Sequence, residues 1–533
     1  MNSRILLGVL AGSWFTFGAT ALAQTPASLS ERDVVAVAVA NNPSLHVALL
    51  RAQQSRYNLS AEQALYVPIF DASAGYTHAQ TPSLVGRSVT TADAAGGMTT
   101  TIVPDTRVTT SDSLDLGAGL TKPFAYGTVL GASVAAQRSS RASLEQAALF
   151  GANGPGYSIL ARLSASQPLL RGAGTDVGLA SLRQAKLTLS ANQIAAQQTA
   201  SQLLSQVVSA YWELWYAAEV VRIDEASREL SRIQEEQARQ QVASGALAPA
   251  SALPYATQVA VLEETVLSAQ TDVRERELGL AQLLGRPAEV GANWRAGDAP
   301  EPELADDPGE AATLAEALQN SYTRRQLQAQ LAIIQDQLKV AGDPLRPRLD
   351  LDGYVQAQGL GNARVPPAFE QFGKLEAVSA HVGLTFQMPI TDARRSAQIQ
   401  SATLAAHIAQ KQIEQDELET RGAVASALAR RRAARDRLLL STQTESVARR
   451  QAEAERARFL AGGSIAITVQ QAEDAYRQAQ LRLQRARVDL VLADLSLLTL
   501  RGRLLSRYAD AVKQLPPAER IELKGDAAAT GNF

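Results

Sequence analysis

The stretch YRQAQLRLQRARVDLVLADLSLLTLRG, residues 476–502, decides the fold. Tyr476, Leu483, Leu490 and Leu497 recur every seven residues, and Ala479, Ala486, Ala493 and Leu500 each follow three residues later. That is the apolar seam of a coiled coil. Moving back 217 residues recovers the same seam, with Val259, Val266, Val273 and Leu280 in the first position. Leu262, Ala269 and Leu283 occupy the second, interrupted by Arg276. The breaks keep the same offset: Gly245 matches Gly462, and Gly285 matches Gly502. The spacing predicts a duplicated helical hairpin.

Around this seam the chain is free of proline from Pro389 to Pro516 and rich in Ala, Gln, Leu, Arg and Glu, which favour helix. Gly462-Gly463 divides that run into two arms. The interval from Gly178 to Ser244 also lacks proline and glycine, enough for a helix of about 100 Å. Upstream, Leu29 to Ala64 reads as helix with Ser30 as N-cap, broken or kinked at Asn41-Asn42-Pro43. After Pro68 the period changes to two: Phe70, Ala72, Ala74 and Tyr76 face one way, Asp71, Ser73, Gly75 and Thr77 the other. Residues 81–112, rich in Thr, Ser, Gly and Asp without a period, read as a loop. Alternation returns over 114–138, with a turn at Pro123 to Gly127, and again at Ile159, Ala161, Leu163 and Ala165.

The same order recurs downstream. At an offset of 279, Asn41, Pro68, Phe70, Ala72 and Tyr76 match Asn320, Pro347, Leu349, Leu351 and Val355. At an offset of 221, Ile159 to Pro168 matches Ala380 to Pro389. The organisation is therefore a signal peptide at 1–23, a first copy at 24–285, a linker at 286–309, a second copy at 310–506 and a polar tail at 507–533. The first copy has β segments at about 68–80, 114–138 and 158–168 and its hairpin at about 175–285. The second has them at about 347–358 and 376–388, with its hairpin at about 390–505. Arg4, the apolar run Ile5 to Phe17 and Ala21-Leu22-Ala23 make the secretory signal, an uncleaved anchor being the alternative. The chain has no cysteine, which excludes disulfides, thiolate chemistry and lipid attachment at the residue after the cleavage site.

Charge is balanced, 51 basic against 53 acidic residues, so no bulk field points to nucleic acid. Mean hydropathy is −0.09, and the mature chain holds no run of about 20 apolar residues. Four to six two-faced strands cannot close a barrel from one chain, and open edges are forbidden in lipid. A secreted chain of this kind suggests a barrel shared among subunits: three chains with four strands each would give twelve. The hairpin at 114–138 either adds strands or folds over the mouth. A soluble periplasmic coiled-coil scaffold or adaptor without a pore is the alternative.

The pattern resembles TolC-type outer membrane efflux proteins. The resemblance rests on the duplicated order, on Ser166-Gln167-Pro168-Leu169-Leu170, and on Ala210-Tyr211-Trp212-Glu213-Leu214. Leu29-Ser30-Glu31, Asn41-Asn42-Pro43-Ser44-Leu45 and Arg458-Phe459 before Gly462 extend it over about residues 28–506. It implies a mainly α fold with β. As a homotrimer this forms a periplasmic α-helical barrel plus a shared β-barrel in the lipids of the outer membrane. It also implies a periplasmic adaptor and an inner-membrane pump of RND or ABC type as partners. The function implied is a passive exit duct for efflux or type I secretion.

The same resemblance makes the hairpin tips the adaptor contact and gate: Val242, Ser244, Gly245 and Ala246 on one hairpin, Phe459, Gly462, Gly463 and Ser464 on the other. A purely structural turn explains the glycines equally well. Ser251 and Thr468 stand where the family often carries an aspartate, and both are expected to N-cap the returning helices. Glu473 and Asp474 are then either the constriction or a solvated helix face. Arg430, Arg431, Arg432, Arg435, Arg437, Arg449, Arg450, Arg456 and Arg458 are interspersed with glutamates. They form an exposed, partly salt-bridged face or a positive lining. Tyr211, Trp212, Trp215 and Tyr216 are expected to pack laterally at mid-tube. His46, His78, His381 and His407 lack ligand spacing, and no nucleophile–base set or phosphate loop is legible. No catalytic residue, metal site or cofactor is expected.

Overall fold

The computed structural model describes residues 28–92, 96–142, 156–245, 248–286, 295–301, 309–362, 364–388, 393–461 and 463–513. The expected signal segment, Ala246, Gly462 and residues 514–533 lie outside these. A two-residue strand, β1 (Ser28–Leu29), leads into helices α1 (Glu31–Asn41) and α2 (Pro43–Ala64). Ser30 and Asp33 form a capping box on α1, the Asp33 carboxyl being held below its usual range by the Ser30 hydroxyl and then the Ser30 N–H. The Asn42 side chain accepts from the N–H groups of Ser44 (2.9 Å) and Leu45 (3.2 Å), and Pro43 presets the first turn. The result is a bend of 51° between α1 and α2.

Four strands follow: β2 (Ile69–Ala92), β3 (Met98–Pro123), β4 (Val129–Ala142) and β5 (Gly156–Pro168). A short α3 (Thr175–Gly178) precedes the 64-residue α4 (Ala180–Ala243), about 96 Å long, and the returning α5 (Pro249–Leu283). The strand β6 (Arg295–Ala296) pairs in parallel with β1. Part of the linker is thereby tied back to the start of the chain.

The second copy repeats the plan: α6 (Glu310–Asn320), α7 (Tyr322–Ala341), β7 (Arg348–Asn362), a short α8 (Pro366–Gly373) and β8 (Ala377–Gln387). Then come the 68-residue α9 (Ala393–Leu460) and α10 (Ala466–Leu500). Two short helices, α11 (Leu504–Arg507) and α12 (Ala509–Lys513), carry Tyr508 and Val512 into the core. The expected polar tail therefore begins with a packed segment, because these two side chains complete the apolar cover over α1.

Each long helix is flanked along one half by its returning arm and along the other by α2 or α7. The heptad residues form the contact in the returning arms: Val259, Leu262, Val266 and Leu280 are buried in α5, and Ala479, Leu483, Ala486 and Leu490 in α10. The main core lies midway, where Val34, Val35, Leu45, Leu204, Leu280 and Leu504 converge on Tyr211. Tyr211 and Trp212 therefore point into the protomer rather than sideways to a neighbour. The Tyr211 hydroxyl donates to Leu29 O (3.0 Å) and Trp212 Nε1 to Glu31 (3.0 Å). Burial pushes the Tyr211 phenol up to about 12, so it remains a donor at any physiological pH.

Both copies end in the same clasp. Arg286 N–H donates to Ala281 O (3.1 Å) and Arg503 N–H to Leu498 O (3.0 Å), each closing a Schellman turn through Gly285 or Gly502 at φ +65°. The turns press on the ends of α1 and α6. Asn42 Nδ2 donates to Leu283 O (2.7 Å) and Asn320 Nδ2 to Arg501 O (3.1 Å). Glu316 accepts from Arg501 (2.6 Å) and from Arg503. Burial opposes its ionisation, but the two guanidiniums overcome it and hold the carboxyl below its usual range.

A carboxyl depressed on folding contributes stability above its unfolded pKa, about 4.3, and loses it as pH falls through the folded value. Glu316→Gln is therefore expected to cost about 1 kcal/mol at pH 7. It should also flatten the loss of thermal stability between about pH 5 and pH 3, read from melting temperatures at each pH.

The six longer strands make one antiparallel sheet in the order β2-β3-β4-β5-β7-β8. The loop expected at 81–112 is instead strand over 81–92 and 98–112. Ile69 to Ala92 pairs residue by residue with Met98 to Thr121. This stretch is a two-stranded ribbon exposed on both faces, so its sequence carries no alternation, while its Thr and Val content suits an extended backbone. Thr90 and Thr100 bond directly across it (3.1 Å).

Candidate functional site

Two regions carry the chemistry: the sheet and the hairpin ends. Cross-strand register puts Ala74, Leu116, Ala136 and Ile159 on one face, with Ala118, Val134, Ala161 and Ala357 beside them. Leu163, Val355 and Ala380 continue that face into β8, followed by Val382, Leu384 and Phe386. The opposite face carries Asp71, Ser73, Asp115, Gln137, Ser164, Asp352 and Gln356 in the same ladders. The apolar face is open to solvent in the single chain: Phe70 is 70% exposed, Val382 77% and Leu163 65%. Phe70 and Phe386 mark its helix-side rim, and Tyr76 and Tyr157 the far rim. Aromatic rims around an apolar band are the signature of a β-barrel wall in lipid. The short α8 packs over Gly359 and Gly361 on this face, near the far rim. His381 lies on the polar face and stacks on Tyr354 at 5.2 Å. Among the described residues no group of His, Asp and Glu is arranged to hold a metal.

At the first hairpin end Ser244 caps α4 and Gly245 turns the chain at φ +76°. At the second, Gly463 N–H donates to Arg458 O (2.9 Å) and the Ser464 hydroxyl to Glu455 (3.0 Å). Val242 and Phe459 are partly buried just above these turns. Phe459 borders a cavity of about 190 Å³ shared with Ile233, Gln237, Tyr255 and Val469. Ser251 and Thr468 are not N-caps. The N-cap positions fall three residues earlier, at Ala248 and Ile465, so both hydroxyls sit at the third helical position. Pro249 explains the earlier start in α5, because its fixed φ already suits the first turn.

The two hairpins of one chain meet along a polar seam between α4 and α10. Glu473 accepts from Gln234 (2.8 and 2.9 Å) and from Arg456 (2.9 Å), joining α4, α9 and α10. Next along α10, Arg477 donates to Asp224 (2.8 Å) and to Asp474 (2.8 Å). Asp224 is 1% exposed, the most secluded acid of the seam. Further up, Glu213 accepts from Arg276 (3.0 Å) and Arg485 (2.9 Å). Glu473 is therefore engaged inside the protomer, with 13% of its side chain exposed, while Asp474 stays 37% exposed. Sequence reasoning singled out the acids but not Asp224, Gln234 or Arg477. Helical phase could have found Asp224, an acid among the inward positions of α4.

Several of the clustered arginines are paired: Arg431 with Asp494 (2.6 Å), Arg437 with Asp489 (3.3 Å) and Arg458 with Glu455 (2.8 Å).

Residues 313–503, the second copy almost entire, match the family described as outer membrane efflux protein. No curated protein matches the sequence significantly. Among solved structures, the outer-membrane channel OprN is 18% identical with a TM-score of 0.62, the match covering 89% of each chain. The Campylobacter jejuni CmeC outer membrane channel is 14% identical with a TM-score of 0.65, covering 92% of this chain and 90% of that one. The open state of the Neisseria gonorrhoeae MtrE outer membrane channel is 17% identical with a TM-score of 0.60, covering 89% of each. At these identities the likeness is one of fold.

Proposed function

We infer that this chain is an outer membrane efflux protein, three copies of which form one passive exit duct. The paired hairpins build a tube in the periplasm and the sheets a barrel in the outer membrane. The observation that carries this reading is the unbroken apolar face on six strands with two open edges. Such a face is stable only against lipid, and the edges only against further strands. The hairpin ends, Val242 to Ala246 and Phe459 to Ser464, are the surface that meets a periplasmic adaptor and, through it, an inner-membrane pump of RND or ABC type. Closure rests on the α4–α10 seam, where Glu473 and Arg477 hold the second hairpin against the first. Opening separates the hairpin ends and breaks these bonds in favour of water. A soluble scaffold gives no use to an apolar band rimmed by aromatics.

Single-channel recording of the purified protein in a planar bilayer tests the duct. Discrete, long-lived conductance from trimers is expected, and protein that stays in the aqueous phase without conducting overturns the reading. The faces are tested separately. Leu163→Arg puts a guanidinium into the lipid-facing band at a cost of about 2–4 kcal/mol and should sharply reduce trimers in the outer membrane. Ser164→Arg, one residue on, points into the lumen and should insert normally while shifting selectivity towards anions. The reverse pattern would mean that the polar face is outermost.

A further inference from the structure

We propose that each protomer contributes six strands to the barrel, so that the closed wall has eighteen, sealed where β2 of one copy pairs with β8 of the next. The proposal rests on the trimeric duct inferred above.

The second copy supplies the minimal set, one strand up (β7) and one strand down (β8). The first copy supplies two more, β3 and β4, inserted between its up strand β2 and its down strand β5. Two observations place this pair in the wall and not over the mouth. The first is the turn joining β3 to β4, which lies at the helix end of the sheet. Gly174 N–H donates to Tyr126 O (3.2 Å), and a Cβ on Gly178 would fall 2.0 Å from Ala125 O. A flap over the exit would put that turn at the opposite end. The second is parity: Leu116, Ala118, Val134 and Ala136 carry the apolar face from β2 to β5 without a break. A flap in water has no use for such a face.

The free edges fit one another. β2 runs away from the helices and β8 towards them, so neighbours meet antiparallel, as every pair within the sheet does. β8 offers 11 residues. β2 offers a matching length from Ile69 to Thr81, where Pro82, lacking an N–H, ends the pairable edge. Above that point β2 and β3 stand as a ribbon, and Pro104 interrupts the free edge of β3 in the same way. The ribbon is thus kept from recruiting strands while the lower edge remains able to pair.

Width follows from the count. With strands about 4.8 Å apart and tilted by about 40°, twelve give a barrel about 24 Å across and eighteen about 36 Å. Four helices per protomer at any level make a tube of twelve, about 34–38 Å across at 9–10 Å spacing. Eighteen strands therefore continue the tube without a taper, and the exit imposes no narrower size limit than the tube itself.

The chain has no cysteine, so paired cysteines report neighbours cleanly. Ala74→Cys would be combined in turn with Ala380→Cys, Val382→Cys and Leu384→Cys, which share its face, and oxidised in outer-membrane vesicles. A covalent trimer is expected from at least one of the three. Ala136→Cys with Ile159→Cys should close within one chain, and Ala74→Cys with Leu163→Cys should not. A β2–β5 cross-link in conducting trimers would mean a twelve-strand wall, which overturns this proposal and leaves the duct intact. Absence of every seam cross-link together with absence of trimers would overturn both. Cryo-electron microscopy of the unsubstituted trimer counts the wall directly, with eighteen strands expected and twelve refuting.

Discussion

Arg477→Ala is expected to raise the resting conductance of the duct several-fold and to lengthen its open dwell times in single-channel records. Arg477 is the sole bridge between Asp474 and Asp224 that the described seam provides. Asp224 is 1% exposed on α4. Without the guanidinium that carboxylate is left buried and unpaired, which costs about 3–5 kcal/mol. Water can reach it only if α10 moves off α4, the direction of opening. At about 1.4 kcal/mol per factor of ten, a cost of about 3 kcal/mol shifts the closed–open balance by roughly two orders of magnitude. Glu473→Gln should act more weakly, because the amide oxygen still accepts from Gln234 or Arg456. Unchanged conductance from intact Arg477→Ala trimers would remove the seam as the lock.

The second large effect concerns assembly. Gly285→Ala is expected to lower the dissociation temperature of the trimer markedly and to cut its yield. Gly285 sits at φ +65°, where any other residue costs about 1–2 kcal/mol. Its Cβ would also lie 2.3 Å from the backbone oxygen of Asn41, which is fixed at the end of α1 and cannot swing aside. The combined penalty is about 3 kcal/mol or more, at the high end for a single added methyl. Gly502→Ala should behave alike, its Cβ falling 2.7 Å from Asn320 Cβ. Gly245→Ala is the control: it shares the positive φ, at +76°, but nothing lies within 4 Å. If all three variants melt together, the clasp against α1 and α6 contributes nothing beyond backbone strain.

The sequence by itself determined what repeats locally. A heptad such as Tyr476, Leu483, Leu490 and Leu497 must face another helix whatever surrounds it, so the hairpins and their duplication were legible from spacing alone. So were the break at Asn42 and the two-faced strands, since an apolar face and a polar face on one strand impose alternation. Where both faces meet water, as from Thr81 to Asp112, no alternation exists, and only the residue-by-residue pairing of β2 with β3 makes that stretch a strand. The starts of α5 and α10 also escaped, because the capping position depends on where the turn delivers the chain and not on the nearest hydroxyl. Asp224, Gln234, Arg477 and Glu473 lie up to 253 residues apart in sequence. Their meeting follows from two long helices packing at one phase and one height, which no local pattern encodes. The tertiary structure alone decided that β3 and β4 continue the sheet between β2 and β5: their faces align with those of β2 and β5 only once the register of the whole sheet is set.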